Sequence, residues 1–128
     1  MALEKDIIEE SGVVSKYHKI VNFEVNFILK ECVIYIADYI NDTFRNKEKD
    51  LEKLKTDVDS LYSKYESETS DDIKNALLEK INSIDVEDRV YYTNIDTIHL
   101  DYIPEDLSYS SLYKIVGNID KYKSSSNV

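Results

Sequence analysis

The stretch Val21-Asn22-Phe23-Glu24-Val25-Asn26-Phe27-Ile28-Leu29 decides the fold class of this chain. Apolar residues occupy every second position, and the positions between them are polar except for Ile28. Successive side chains of a β-strand point to opposite faces, so a period of two is typical of a half-buried strand. The residues upstream continue the pattern less regularly. Together they predict a strand over about 14–29.

A second strand follows directly. From Cys32 to Ala37 both alternating faces are apolar, which favours an inner strand covered on both sides. Lys30-Glu31 is a short polar break between the two strands, although it lacks the Gly or Asn of a tight hairpin turn. The strand faces predict that five residues are buried: Phe23, Val25, Phe27, Ile34 and Ile36. Truncation of Phe27 to alanine is then expected to cost about 3–5 kcal/mol.

The chain changes to a helical period after residue 47. One apolar stripe steps by three and four residues through Leu51, Leu54, Val58, Leu61 and Tyr65, and a second runs through Ile73, Leu77, Ile81 and Ile84. Between them lies a polar turn in which Ser70 is a candidate N-cap. These stripes predict a helical hairpin over 47–84.

Residues 89–103 are rich in β-branched and aromatic residues, which predicts a third strand. A last apolar stripe follows Ser108 or Ser110, either of which can cap a C-terminal helix. Residues 123–127 are polar and are expected to fray. We therefore predict a single α+β domain over residues 1–128. It has a small antiparallel sheet of about three strands (14–29, 32–44 and 89–103), an inserted helical hairpin (helices near 48–66 and 71–84) and a C-terminal helix (near 109–122).

Composition excludes several classes of function. The formal net charge is −10, which repels a phosphate backbone, so direct binding to nucleic acid or to an anionic membrane is not expected. The most apolar stretch, Cys32 to Ala37, is far shorter than the roughly 20 residues of a membrane-spanning helix. The single cysteine cannot form an internal disulfide, and it suits a reducing cytoplasm as a buried residue of a strand.

The residues that carry chemistry are sparse. His18 and His99 have no neighbouring partner in a catalytic pattern, and we interpret them as surface or packing residues of strands. One Cys and two His make no zinc pattern, the acidic pairs do not extend into a calcium loop, and two glycines are too few for a phosphate loop. We therefore predict no catalytic residues, no metal, no cofactor and no enzymatic activity.

Tyrosine is abundant, with 11 residues against 3 Phe. Tyr combines a rigid apolar ring with a polar tip and is enriched at protein interfaces, although AT-rich coding also favours it. Together with the first helical stripe, the tyrosines of the predicted sheet give candidate partner contacts: Tyr35, Tyr39, Tyr91, Tyr92, Leu51, Leu54, Val58 and Leu61.

Both ends of the chain resemble a known family. Five stretches carry the resemblance: the opening Met1-Ala2-Leu3-Glu4-Lys5, the turn at Ser11-Gly12-Val13, the segment Tyr17-His18-Lys19-Ile20-Val21, the stretch Tyr39 to Arg45 and the stretch Leu107 to Tyr113. They are similar to small tail-associated structural proteins of phages and prophages of Gram-positive bacteria. The resemblance covers 1–45 and 88–122, whereas 46–87 departs from it as an insertion.

The resemblance implies a structural or adaptor component of a phage tail, baseplate or phage-tail-like particle. Such a protein is made in the bacterial cytoplasm and joins the virion or particle, where it contacts other phage proteins and copies of itself. The alternative hypothesis is a small acidic inhibitor encoded by a phage, which mimics DNA and blocks a nucleic-acid enzyme. The mixture of acids with lysines through 47–80 fits that alternative less well.

Overall fold

The computed structural model describes residues 1–86 and 89–128. The chain, expected to be a single domain, divides into two compact units. One is formed by 1–45 with 91–128, and the other by 46–90. The second unit covers the segment that we interpreted as an inserted helical hairpin, and it lies in the chain between two strands of the first.

The first unit is built on an antiparallel sheet, which confirms the α+β class. The sheet has five strands in the order β4-β3-β2-β1-β5 rather than the expected three. The strands are β1 (Leu3–Ile8), β2 (Val14–Asn26), β3 (Glu31–Tyr39), β4 (Asn94–Leu100) and β5 (Ser126–Asn127). β5 pairs with β1, so the polar C-terminal segment that we expected to fray is held in the sheet.

The core lies between one face of the sheet and the C-terminal segment. That segment forms helix α3 (Tyr109–Gly117) and a short 3-10 turn (Asp120–Tyr122), rather than one continuous helix. Ser108 is the N-cap, and its hydroxyl accepts a hydrogen bond from the Ser111 amide at 3.3 Å. The buried cluster contains Leu3, Ile20, Cys32, Ile34, Ile36, Leu112, Tyr113, Val116 and Tyr122.

β3 is the inner strand that the sequence predicted, because it lies between β2 and β4. Ile34 and Ile36 are fully buried, as is Cys32, and these three predictions are confirmed. On the opposite face of β3, Val33 and Tyr35 are half-buried. The strand ends at Tyr39 and not at 44, because the Asn41 side chain accepts the Phe44 amide at 3.3 Å and starts a helix.

The turn after β2 corrects the predicted core. Phe23 and Val25 are half-buried, but Phe27 is 74% exposed and its predicted burial is wrong. The strand ends at Asn26, whose side-chain oxygen accepts the amides of Ile28 and Leu29 at 3.1 and 3.0 Å. Residues 27–30 therefore form the turn of the β2–β3 hairpin, with the apolar side chains pointing into solvent.

Replacing Phe27 by alanine is therefore expected to change the free energy of unfolding by only about 0.5 kcal/mol or less, because an exposed ring loses little packing. Urea denaturation at pH 7 measures this change. A loss of about 3 kcal/mol or more would show instead that the ring is buried in the folded chain.

The second unit contains helix α1 (Asp42–Ser67), which begins at the end of the first unit, and helix α2 (Asp71–Asn82). The two helices were predicted, although α1 starts six residues earlier than 48 and α2 ends before 84. Leu61 and Ile81 are buried, whereas Ile73, which we placed on the second stripe, is exposed. Lys74 Nζ lies 5.1 Å from the centre of the Tyr65 ring, a contact between the two helices.

Candidate functional site

A buried group of ionisable side chains lies at the end of the sheet where β3 stops and β4 starts. His18 and Asp38 face each other across β2 and β3, and both are fully buried. His18 Nδ1 lies 2.6 Å from Asp38 Oδ1, and His18 Nε2 lies 2.7 Å from the Lys5 carbonyl oxygen. Both ring nitrogens of His18 are therefore engaged inside the protein.

Asp38 is the acceptor at the centre of this group. Besides His18, it accepts hydrogen bonds from Asn94 Nδ2 at 3.1 Å, Lys121 Nζ at 3.0 Å and the Tyr122 hydroxyl at 3.0 Å. Burial alone would raise the pKa of Asp38, but the hydrogen bonds from His18, Asn94 and Lys121 outweigh burial and hold the pKa well below its usual range. The carboxylate is therefore ionised at neutral pH.

Lys121 connects the buried group to the surface. Its ammonium donates to Glu9 Oε2 at 3.1 Å, to Asp38 Oδ2 at 3.0 Å and to Asp96 Oδ2 at 2.5 Å. Burial lowers its pKa, but the hydrogen bonds to Asp96 and Asp38 prevail and raise the pKa above the usual value. An ammonium has three N–H groups, so these three carboxylates engage all of them.

Tyr122 completes the group from the C-terminal side. Its hydroxyl lies 3.0 Å from Asp38 Oδ1 and 2.5 Å from Asp96 Oδ2, and its ring packs edge-on against His18 with 5.3 Å between ring centres. Burial and the Asp38 charge raise the pKa of the Tyr122 phenol far above its usual value. The phenol therefore stays protonated and acts as a donor.

Glu9 lies at the outer end of the group. Its side chain is only 8% exposed, and Oε2 accepts from Lys121 at 3.1 Å. Burial first, and then a hydrogen bond that the protonated carboxyl donates to Asp38, raises the pKa of Glu9. Glu9, Asp96 and Lys121 form part of the wall of an open cleft of about 640 Å³.

The geometry makes His18 unsuitable for proton transfer to a bound molecule. Both ring nitrogens are engaged and the side chain is fully buried, so no substrate atom can reach it in this conformation. His99 lies on the exposed side of β4. Within the part of the chain that is described, no three His, Cys, Asp or Glu side chains are grouped to hold a metal ion.

A second feature of the surface is the apolar turn of the β2–β3 hairpin, which we call the hairpin tip (residues 27–29). Phe27, Ile28 and Leu29 are 74%, 92% and 64% exposed. Tyr102, which follows β4 at the same end of the sheet, is also exposed. Contiguous apolar side chains in solvent are a feature of binding surfaces.

The chain matches no family model, no curated protein and no solved structure. None of the helices in the described residues is long and apolar enough to cross a bilayer.

The predicted partner contacts are not all at the surface. Tyr39 is fully buried, with its ring 6.2 Å from that of Tyr17 and 5.9 Å from the Arg45 guanidinium, so it offers no contact to another protein in this conformation. Leu61 is also buried. Tyr35, Tyr91, Leu51, Leu54 and Val58 are half-buried, and Tyr92 is exposed. The sequence reasoning missed the hairpin tip, because it assigned Phe27 to the core.

The buried carboxyls predict an unusual dependence of stability on pH. The folded-state pKa of Asp38 is lowered, so its contribution is present above the unfolded pKa of about 3.9 and is lost as the pH falls below it. The folded-state pKa of Glu9 is raised, so stability increases as the pH falls through that pKa toward the unfolded value of about 4.3.

We expect the urea midpoint to rise as the pH falls from 7 toward the unfolded pKa of Glu, about 4.3, and to decline again below about pH 4. The variant Glu9→Gln has no carboxyl at this position, so the rise attributable to Glu9 is expected to disappear while the acid fall remains. An unchanged rise in Glu9→Gln would show that another group titrates in this range.

Proposed function

We propose that this chain is a structural or adaptor component of a phage tail, baseplate or phage-tail-like particle, and that it acts by binding other protein chains rather than by catalysis. The observation that carries the proposal is the hairpin tip, in which three consecutive large apolar side chains are exposed. Folded monomers rarely maintain such a surface unless a partner covers it.

The hairpin tip is a preformed contact surface. The Asn26 side chain holds the amides of Ile28 and Leu29, and Lys30 completes the turn with a left-handed φ of 54°. A turn fixed in this way loses little conformational entropy on binding. Aromatic and aliphatic side chains that protrude from such a turn are suited to the apolar centre of a protein interface.

The charge of the chain favours protein partners. A net charge of −10 repels nucleic acid and anionic lipid, whereas the hairpin tip is uncharged from Phe27 to Leu29. The resemblance of 1–45 and 88–122 to tail-associated proteins indicates the kind of assembly. It is a phage tail or tail-like particle, made in the bacterial cytoplasm, in which the chain contacts other phage proteins and copies of itself. No cofactor takes part in this function.

Co-sedimentation with particles tests the proposal. The chain is expressed with a tag in the bacterium that encodes it, particles are induced and purified on a density gradient, and the bound chain is quantified by mass spectrometry. The wild type should sediment with particles. Ile28→Asp should reduce the bound fraction about tenfold or more, because it places a charge at the centre of the contact.

A matched control uses an exposed apolar residue away from the hairpin tip. Val13 is 38% exposed in the turn between β1 and β2, at the other end of the sheet, and Val13→Asp should sediment like the wild type. Equal loss in both variants, or sedimentation of Ile28→Asp at the wild-type level, would contradict the role of the hairpin tip. Recovery of the chain with a soluble nuclease and not with particles would favour the DNA-mimic inhibitor instead.

The helical unit is predicted to be a docking arm rather than part of the core. All residues of the buried cluster belong to the first unit. Replacing Lys47 to Asn82 by a short Gly/Ser link should therefore leave a folded protein with a β-type circular dichroism spectrum that no longer enters particles. Normal assembly would show that the arm is dispensable, and failure to fold would show that the sheet depends on it.

A further inference from the structure

The outer edge of β4 has no strand beside it. β4 lies at one end of the sheet, and within residues 1–86 and 89–128 no main-chain group outside β3 bonds to the main chain of 95–100. Free N–H and C=O groups along such an edge are a template for another strand. We propose that this edge pairs, antiparallel, with β4 of a second copy of the chain, so that two five-stranded sheets join into one. The inference rests on the protein-binding function proposed above and names the surface through which copies contact each other.

The two edges of the sheet differ in the features that prevent strand addition. At the other edge, β5 pairs with Leu3 and Glu4, charged residues follow at Lys5 and Asp6, and the pairing of β1 with β2 shifts between Glu4 and Ile7. A covering strand, charges and an irregular register all discourage pairing with another chain. β4 contains no Lys, Arg or Pro, and its seven residues pair with β3 without a shift. Of the two edges, β4 is therefore the one suited to accept a strand.

The sequence of β4 is compatible with pairing to itself. Antiparallel pairing about a two-fold axis places residues opposite each other whose side chains lie on the same face of the sheet. The register that uses all seven residues is centred on Thr97, which then faces Thr97 of the second copy. Threonine pairs across two strands are favourable. Because the same surface is used by both copies, this contact closes at a dimer.

The β4 edge is locally neutral in an acidic chain. The Asp96 carboxylate lies 2.5 Å from Lys121 Nζ, so its charge is compensated within the same copy. In the register centred on Thr97, Asp96 faces Ile98 and His99 faces Ile95. No like charges oppose each other across the junction, and like charges directly opposite would destabilise it. This neutrality favours a second copy as the partner, although each copy carries a net charge of −10.

Apolar side chains at the β4 edge also gain from a second copy. Ile98 and Leu100 pack against the buried cluster but are only half-buried themselves. In the proposed register, Ile98 lies diagonal to Ile98 of the second copy, a spacing that long side chains can bridge. On the opposite face, Ile95 is 43% exposed. Pairing therefore covers apolar surface at the side of the core that a single copy leaves open.

Sedimentation equilibrium of the full chain at pH 7 tests the inference. The wild type should show a reversible monomer–dimer equilibrium at concentrations up to about 1 mM. Raising the salt concentration from about 0.05 M to about 0.5 M should strengthen the dimer, because salt screens the repulsion between two acidic copies. Hydrogen exchange of the amides of 94–100 should slow as the dimer forms. A chain that stays monomeric over this whole range, or exchange at 94–100 that is independent of concentration, would overturn the proposal.

Charge variants at the centre of β4 locate the contact. Thr97 is exposed, so Thr97→Lys and Thr97→Glu should both leave the monomer folded. Each variant alone should weaken the dimer about tenfold or more, because like charges then face each other, whereas an equimolar mixture should recover most of the association. Thr56→Lys is the same change at an exposed position of α1, and it should dimerise like the wild type. Wild-type dimerisation of Thr97→Lys, or a mixture that associates no better than either variant alone, would overturn the proposal.

The hairpin tip separates this inference from the proposed function. Ile28→Asp leaves β4 unchanged, so it should dimerise like the wild type even where it no longer sediments with particles. Loss of the dimer in Ile28→Asp would place the contact at the hairpin tip and overturn the proposal. A wild-type chain that dimerises through β4 but never joins particles would overturn the proposed function alone. A wild-type chain that joins particles but stays monomeric in solution would overturn the β4 contact alone.

Discussion

Replacing Asp38 by asparagine is expected to lower the free energy of unfolding by about 3–5 kcal/mol. The ammonium of Lys121 donates to this carboxylate inside the protein, and the His18 ring lies 2.6 Å from it. Without the negative charge, the Lys121 ammonium loses a buried counter-ion, and an amide N–H faces Asn94, Lys121 and Tyr122, which are themselves donors. Removal of one partner from a buried ionic group has this large effect because the remaining charge is uncompensated.

Urea denaturation at pH 7 measures the change. The matched control is Asp120→Asn, whose carboxylate is 97% exposed beside Lys123, and which should alter stability by about 0.5 kcal/mol or less. Asp38→Asn within about 1 kcal/mol of the wild type would mean that the buried group adds little to folding.

Replacing Ile34 by alanine is expected to lower the free energy of unfolding by about 2–5 kcal/mol. Ile34 is fully buried on the middle strand of the sheet, where it pairs with Phe23 on β2 and with Ile98 on β4. Truncation loses the transfer free energy of the side chain and leaves a cavity that strands on both sides cannot close. Ile28→Ala is the control, because that side chain is 92% exposed and should change stability by about 0.5 kcal/mol or less. Equal effects of the two variants would contradict the placement of the core.

Period and composition predicted the larger elements of the fold. The inner position of β3, the two helices between β3 and β4 and the capped helix near the C-terminus all follow from the sequence. The strand β1 could not be predicted in this way, because Glu4, Lys5 and Asp6 interrupt any alternation. Its place in the sheet comes from pairing with β2 and β5, which are interactions between distant parts of the chain.

The error at Phe27 has a local cause. Alternation identifies the strand but not its last residue, and Asn26 ends β2 by binding two amides of the turn. The pairing of β2 with β3 shifts by one residue between Ile20 and Asn22. Because of this shift, Phe23 and Val25 lie on the same face of the sheet as the buried Ile20. A shift of this kind leaves no mark in a pattern of apolar residues.

The His18–Asp38 pair of the buried ionic group could have been predicted from the sequence. A hairpin that turns near residue 28 places His18 opposite Asp38, so a charged pair across two strands could have been inferred once the turn was fixed. Glu9, Asp96 and Lys121 could not have been added, because they come from separate segments that only the tertiary fold brings together.

The chain leaves the sheet at the end of β3 and returns to it at the start of β4, and these two points are adjacent. Asp38 near the end of β3 pairs with Asn94 at the start of β4, and the Thr93 amide binds the Asp38 carbonyl oxygen at 2.7 Å. In terms of chain entropy, residues 39–93 are a loop whose ends are held next to each other by the pairing of Asp38 with Asn94. The entropy of closing such a loop rises only with the logarithm of its length, by about 0.6 kcal/mol for each doubling. Segments of very different length could therefore be exchanged at this position during evolution while the sheet and its buried charges remain unchanged.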